Sequence, residues 1–308
     1  VLKRLGYILV TLWVIVTCTF FMMKNLPGTP FDAERFSIMT PQQQERVLEM
    51  YGLNDSLPMQ YVKYIKNMLK GDLGTSFTYV NQDVSKVITG RLGPSALIGI
   101  QAVLIGLAIG LILGILAAWK HNSGIDYFTM ILAVLGVSVP NFVAAALLQY
   151  YIGLKWGVLP VGFWTGWNCS VLPSIALSFS ATAMVARFMR TEMLDVLDQD
   201  YIVTARAKGL SQMKVLMRHA VRNSILPVVT ILGPIVVNLM TGSLAVENIF
   251  SIPGIGSLFV DCIKANDYPV IMGITIFYAA FYMLIVLLVD LAYSLIDPRI
   301  RLAKGKES

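Results

Sequence analysis

The stretch that decides the fold is PSALIGIQAVLIGLAIGLILGILAA, which runs from Pro94 to Ala118 without a single charged side chain. Lipid offers a backbone amide no hydrogen-bonding partner, so a helix needs about 20 mostly apolar residues to cross the hydrocarbon core. This stretch is long enough and apolar enough to do so. It predicts a membrane-spanning helix.

The composition of the whole chain agrees with that local signal. Hydrophobic residues make up 56% of the 308 residues and charged residues only 14%, against about 45–50% and about 25% in ordinary globular domains. The mean hydropathy is +0.69. Too little polar surface exists for a water-soluble particle, so a soluble enzyme is excluded. We predict an all-α polytopic membrane protein.

Six stretches qualify as spans by length and apolar character. The first, Leu5–Met23, has the basic start and apolar middle of a secretory signal, but it is longer than a usual signal core. No small-x-small cleavage site follows, so we expect a retained helix. The chain divides into this N-terminal segment (1–24), a helical segment outside the membrane (25–92) and a five-helix core (93–308). The core spans are predicted at about 94–118, 127–154, 171–186, 223–246 and 268–289.

The lysines and arginines give the orientation, because loops on the cytoplasmic side carry an excess of them. With the N-terminus inside, the cytoplasmic segments hold 14 cations and 8 acids, and the outer segments hold 10 of each. The inside therefore carries the whole net charge of +6. Both termini are predicted to be cytoplasmic, and the basic pI reflects topology. Nothing in the charge pattern points to nucleic acid.

Helix signals are readable in the outer segment. Thr40-Pro41-Gln42-Gln43 has the pattern of a capped helix start, and Gly52 ends the helix. A second helix is predicted over about Pro58–Lys70, with three lysines along one face, as in helices that lie in the membrane interface. The segment is either a cap on the outer end or a docking surface.

A cytoplasmic loop of about 34 residues, 191–224, separates the fourth and fifth spans. Gly209 supplies the left-handed turn that ends one short helix, and a second helix follows. Small side chains precede the glycine at Thr204, Ala205 and Ala207, where they would let another protein approach the backbone closely. The alternative is an amphipathic hairpin that lies on anionic lipid headgroups.

The segment Asp200–Pro227, DYIVTARAKGLSQMKVLMRHAVRNSILP, resembles the cytoplasmic signature loop of ABC importer permeases. Nearly the whole chain is similar to the first-subunit permeases of the oligopeptide/dipeptide/nickel branch, above all to its B-type oligopeptide permeases. The other matching motifs are LPGTPFD (Leu26–Asp32), GLNDSLPMQY (Gly52–Tyr61), KGDLGTSF (Lys70–Phe77), NIFSIPGIGSLFVD (Asn248–Asp261), NDYPV (Asn266–Val270) and DPRIR (Asp297–Arg301).

The resemblance implies a six-helix type I ABC importer permease in a bacterial inner or plasma membrane. A homologous second permease would complete the path, two cytoplasmic ATPases would bind ATP and Mg²⁺, and a peptide-binding protein outside would deliver an oligopeptide. It also implies a coupling helix seated on an ATPase, formed by Asp200, Tyr201, Thr204, Ala205, Arg206, Ala207, Lys208, Gly209 and Leu210. Arg206 and Lys208 would pair either with ATPase acids or with headgroups. One departure is that Val203-Thr204-Ala205 replaces the usual Glu-Ala-Ala, which removes that glutamate as an ion-pair partner.

Other functional classes fit the sequence less well. A phosphate-binding loop needs Gly-x-x-x-x-Gly-Lys-Ser/Thr, and the only Gly-Lys pair, Gly305-Lys306, lacks both the first glycine and the hydroxyl residue. An ion-coupled carrier usually keeps ionisable groups inside its spans, whereas Arg187, Arg190 and Asp290 fall near cytoplasmic ends. No filter-like repeat indicates a channel, and no catalytic or metal-binding constellation surrounds the two histidines. A dipeptide or nickel-chelate permease stays open as an alternative cargo assignment.

Residues of the transport path are harder to identify. Ser138, Pro140 and Asn141 in the third span, with Asn238 in the fifth, are candidates for path lining, or they form ordinary interhelical hydrogen bonds. The apolar loop Glu247–Leu258, with Pro253, Gly254 and Gly256, is either an outer gate or packs against the third-to-fourth loop. Cys169 and Cys262 could pair in a disulfide outside the membrane.

Overall fold

The computed structural model describes residues 2–25, 36, 38–50, 52–79, 82–240 and 244–296. Within these ranges the chain is helical, and the one strand-like pairing there is an isolated antiparallel bridge between Thr75 and Asp83. The motifs at Leu26–Asp32 and Asp297–Arg301, and the pair Gly305-Lys306, lie outside the described residues.

Thirteen α-helices are described, two of which continue into short π-helical turns. They are α1 (Leu2–Lys24), α2 (Pro41–Met50), α3 (Leu57–Met68), α4 (Val84–Trp119), α5 (Gly124–Ser138), α6 (Asn141–Leu148, continued as a π-helix over Gln149–Lys155), α7 (Val171–Leu197, preceded by a 3₁₀ turn at Trp167–Ser170), α8 (Asp200–Ala207), α9 (Gln212–Val215, continued as a π-helix over Leu216–Val221), α10 (Arg222–Met240), α11 (Leu244–Ile249), α12 (Ile255–Lys264) and α13 (Tyr268–Ile296).

The spans agree with the hydropathy prediction. Five helical segments of the described chain are long and apolar enough to cross a membrane, and α5 with α6 makes a sixth if that bent pair counts as one span. The helices themselves extend past the predicted spans. α4 begins at Val84 and α7 continues to Leu197, because hydropathy marks the part of a helix that lies in lipid and not its full length.

The third span is broken at Pro140. α5 ends at Ser138, α6 begins at Asn141, and the two are bent by 100°. Proline has no backbone N–H and disfavours the helical conformation of the residue before it. Val139 accordingly lies in the extended region, with φ −82° and ψ 118°. The single span predicted over 127–154 is therefore two helices.

Two compact units make up the fold. One contains Val1–Gly93 with Gly254–Phe281, and the other contains Pro94–Pro253 with Tyr282–Ser308. The predicted core, 93–308, contains the whole second unit and also residues 254–281, which the structure assigns to the first unit. Residues 254–281 group with the N-terminal part because Ile255, Leu258 and Ile271 bury their side chains in one cluster with Val84 and Ile88.

Close backbone packing joins α4 to α7 in the second unit. A Cβ added at Gly110 would come 2.8 Å from the carbonyl oxygen of Thr182, and one added at Gly114 would come 2.6 Å from that of Ala186. Spanning helices associate through such small residues, because lipid provides no hydrophobic force between them. These two glycines therefore set how near α4 lies to α7.

The first unit confirms the predicted capping box. The backbone N–H of Thr40 donates to Oε1 of Gln43 at 2.9 Å, and the N–H of Gln43 donates to Oγ1 of Thr40 at 3.4 Å. Gly52, which follows α2, has φ +63°. The sequence thus predicts the start of α2 and the glycine turn after it.

A buried carboxylate connects two distant motifs in the same unit. Asp267 is fully buried and accepts hydrogen bonds from Oγ of Ser76, from the backbone N–H of Phe77 at 3.2 Å and from that of Thr78 at 3.0 Å. The N–H of Val270 also donates to it, at 3.4 Å. KGDLGTSF is therefore held against NDYPV, a contact that sequence reasoning did not predict.

Candidate coupling site and transport path

The elbow, residues 200–215, consists of α8, a turn at Gly209 and α9. Gly209 has φ +76°, a left-handed conformation that glycine adopts without strain. Its N–H donates to the carbonyl of Arg206 at 2.9 Å, and the N–H of Leu210 donates to that of Ala205 at 3.4 Å. This pair of bonds is a Schellman motif, which satisfies the last carbonyls of α8. The predicted glycine turn is confirmed.

The underside of the elbow is apolar and buried. Ile202, Ala205 and Val215 form a small cluster that also packs against Val196, Leu197 and Leu210. Ala205 is only 6% exposed. Its expected place on the contact surface is therefore corrected: the alanine lies beneath that surface, because its side chain is on the same face of α8 as Ile202.

One hydrogen bond ties the elbow to α10, and a second joins α10 to α7. Nδ2 of Asn223, at the start of α10, donates to Oη of Tyr201 at 2.9 Å. Oγ of the buried Ser224 donates to the carbonyl of Glu192, near the end of α7, at 3.2 Å. With the apolar underside, these contacts fix the elbow to both α7 and α10, so it can move with them as a unit.

The upper face of the elbow is exposed and mixes charge with apolar surface. Leu210 is half-buried. The residues that are both exposed and predicted to contact an ATPase are Asp200, Tyr201, Thr204, Arg206, Ala207, Lys208 and Gly209. Neither Arg206 nor Lys208 forms an ion pair with an acid in the part of the chain that the structure describes.

Sequence reasoning missed two residues of this surface. The side chains of Val203 and Met213 are 58% and 52% exposed. Their role becomes visible only once the structure shows that Ile202 and Ala205 lie on the buried face of α8, because an apolar residue opposite that face needs a partner.

The candidate path residues meet at the break in the third span. Ser138 ends α5, Pro140 precedes α6 and Asn141 begins it, and Ser138 and Pro140 are exposed. A largely apolar cavity of about 620 Å³ lies beside the break, with Gly136, Val139 and Phe179 in its wall. Asn238 is exposed on α10. Path lining by these four residues stays a prediction.

The candidate gate loop packs against the third-to-fourth loop, one of the two expected arrangements. The N–H of Phe163 donates to the carbonyl of Phe250 at 2.9 Å. Nε2 of Gln149 donates to the carbonyl of Ile249 at 2.7 Å. Pro253 is half-buried, and Gly254 and Gly256 are buried. Cys169 and Cys262, which could have paired in a disulfide, are free thiols. A gating role stays a prediction.

Comparison with known proteins places the chain in a family. Residues 110–302 match the family described as binding-protein-dependent transport system inner membrane component, and residues 1–82 match the N-terminal family of the same systems. The chain belongs to this permease family. The dipeptide transport system permease DppB of Lactococcus lactis is 46% identical over 98% of this permease and 99% of its own length.

Two further relatives share the full length of the permease. DppB of Bacillus subtilis is 43% identical, and the oligopeptide transport system permease OppB of Escherichia coli K12 is 38% identical, each over 98% of both chains. Solved ABC transporters share the fold. The inward-facing MetNI methionine transporter matches with a TM-score of 0.60 at 14% identity, over 69% of this permease and 97% of that chain.

Membership of the family settles several expectations. The permease is a multi-pass protein embedded in a bacterial membrane, and its fold is that of ABC importer permeases. Such a family implies a partner ATPase, which uses the ATP, and a substrate-binding protein. The predicted resemblance is confirmed, and an ion-coupled carrier is not favoured.

Proposed function

We propose that this permease forms half of the path of an ATP-driven peptide importer and that its elbow is the contact with a cytoplasmic ATPase. The relatives that support a peptide cargo are named as dipeptide and oligopeptide permeases. The dipeptide permeases have the higher identities, 46% and 43% against 38%, so short peptides are the favoured cargo.

The observation that carries the coupling assignment is the two-sided construction of the elbow. Its underside is buried against the end of α7, and Tyr201 accepts a hydrogen bond from Asn223 on α10. Its upper face exposes Tyr201, Val203 and Ala207, an apolar surface flanked by Arg206 and Lys208. An ATPase that moved this surface would move both spans with it. Nucleotide would then bias the equilibrium between inward- and outward-open forms.

The complete importer would contain this permease, a homologous second permease, two ATPases that bind ATP and Mg²⁺, and a peptide-binding protein. The termini of the permease would be cytoplasmic, and residues 25–92 would receive the binding protein. Arg206 and Lys208 would pair with ATPase acids, with lipid headgroups as the competing partner. Ser138, Asn141 and Asn238 would line the path, and Pro253, Gly254 and Gly256 would belong to its outer gate.

The test replaces an exposed small residue of the elbow by a large one. Ala207→Trp adds bulk where the ATPase would approach but leaves the buried underside intact, and Ala207→Ser is the matched control. In proteoliposomes that contain the whole importer, Ala207→Trp should reduce both peptide import and ATP hydrolysis stimulated by the binding protein at least tenfold. Ala207→Ser should leave both rates unchanged. Import at the wild-type rate in Ala207→Trp would contradict the assignment.

A further inference from the structure

A bidentate ion pair connects the third span to the helix that carries the elbow. Nε of Arg190, on α7, donates to Oδ1 of Asp126 at 2.6 Å, and Nη2 donates to Oδ2 at 2.8 Å. Asp126 lies in the first turn of α5. Two parallel bonds between a planar guanidinium and a carboxylate fix the orientation as well as the distance of the two groups.

The second oxygen of the carboxylate has two further neighbours. The backbone N–H of Asn122 donates to Oδ2 at 3.0 Å, and Nδ1 of His121 lies 3.1 Å from the same oxygen. The side chain of Asp126 is 3% exposed and that of Arg190 is 22% exposed. With so little contact with water, the pair is much less screened by salt than a pair on the surface.

The pair holds one end of the contact between α5 and α7. A close backbone approach holds the other end, near the break in the third span, where a Cβ added at Gly136 would come 3.0 Å from the carbonyl oxygen of Phe179 and 3.1 Å from Cβ of Ala183. The ion pair holds the first turn of α5, at the end of α7 that leads into the elbow. A helix held at both ends cannot pivot independently of its neighbour.

We infer that Asp126 and Arg190 are positioning residues that make α5 follow α7, so that movement of the elbow reaches the break at Pro140. This inference rests on the proposed coupling role of the elbow. Neither side chain would touch the peptide or the ATPase. Their role would be to transmit a displacement along a span that a bend of 100° divides.

The experiment compares Arg190→Gln and Asp126→Asn with Arg187→Gln. Arg187 lies one turn earlier on α7, is exposed, and has no acidic partner among the described residues. The measured quantity is peptide imported per ATP hydrolysed, in proteoliposomes that contain the whole importer. We expect this ratio to fall at least tenfold in the two pair variants, with stimulated ATP hydrolysis within twofold of wild type. Arg187→Gln should keep the wild-type ratio.

Two further variants separate transmission from simple destabilisation. The double variant Asp126→Asn/Arg190→Gln should be no worse than either single variant, because all three remove the same connection. Arg190→Lys keeps the positive charge but cannot form the two parallel bonds of a guanidinium. It should recover part of the wild-type ratio of peptide imported per ATP hydrolysed. An unchanged ratio in both single variants, or a parallel loss of hydrolysis and import, would overturn the inference. If the wild-type importer took up peptide without ATP, the proposed function would be refuted instead.

A distance measurement keeps the test decisive if a variant assembles poorly. Phe128 on α5 and Met184 on α7 are both exposed and can carry spin labels after replacement by cysteine in a background without native cysteines. In the wild-type importer their separation should stay constant between the nucleotide-free and ATP-bound states. In Arg190→Gln the distribution should broaden or shift with nucleotide. A constant separation in the variant would show that α5 follows α7 without the ion pair.

Discussion

The turn at Gly209 gives a prediction whose size follows from the backbone. With φ +76°, this residue lies where an L side chain is disfavoured, yet a Cβ added there would meet no atom within 4 Å. The penalty of a substitution is therefore conformational and not steric. The left-handed region costs a non-glycine residue about 1–2 kcal/mol, asparagine is tolerated there better than most residues, and a β-branched residue is an outlier.

A penalty of about 1–2 kcal/mol changes the population of the intact elbow by a factor of about 5–30. Import per ATP should therefore decrease in the order wild type, Gly209→Asn, Gly209→Ala and Gly209→Val, with the valine variant at least fivefold below wild type. Membrane insertion should be equal in all four proteins. The assay is peptide uptake with parallel phosphate release in proteoliposomes. Equal coupling in the asparagine and valine variants would refute the reasoning, because the order depends only on the left-handed conformation.

Further variants test the packing around these elements. Ala205→Leu should overpack the underside of the elbow at about 1–3 kcal/mol and lower the midpoint temperature of unfolding; an unchanged midpoint would mean that the cluster is loose. Gly114→Leu should prevent α4 from approaching α7 and reduce the yield of folded permease in detergent, whereas Gly90→Ala, which meets open space, should not. Asp267→Asn should place amide protons against N–H donors and lower the unfolding midpoint, since an unsatisfied buried donor costs about 1–3 kcal/mol. Cys262 lies outside the candidate spans. Its burial, and then the nearby carboxylates, raise the pKa of its thiol to about 12. Its folded thiol therefore stays protonated where the unfolded thiol ionises, so stability should fall as pH rises from 9 towards 12, and Cys262→Ala should lose that pH dependence.

Local signals predicted much of the fold correctly. Runs of apolar residues marked the spans, because a helix that crosses lipid needs about 20 consecutive apolar residues, and such a run is visible in a short window of sequence. The capping residues Thr40 and Gln43 and the turn at Gly209 were predictable for a similar reason. Each depends on side chains within a few residues of one another.

Contacts between distant residues could not be predicted in this way. Asp267 and Ser76 are hydrogen-bonded although 191 positions apart. Asp126 and Arg190 are 64 positions apart, and no local pattern indicates that they pair. Hydropathy also could not give the 100° bend at Pro140, because proline predicts a break but not its angle. The burial of Ala205 depends on which face of α8 meets the end of α7, and a helix of eight residues carries too few positions to define that face.

The coupling role of the elbow is tested most directly by site-specific crosslinking in the assembled importer. A photoreactive amino acid at the exposed position 207 should capture the ATPase in both the nucleotide-free and the ATP-bound state. The buried position 205 serves as the control. The same probe at position 205 should react within the permease itself. Reaction of the probe at 207 with lipid alone, or with no protein partner in either state, would contradict the assignment.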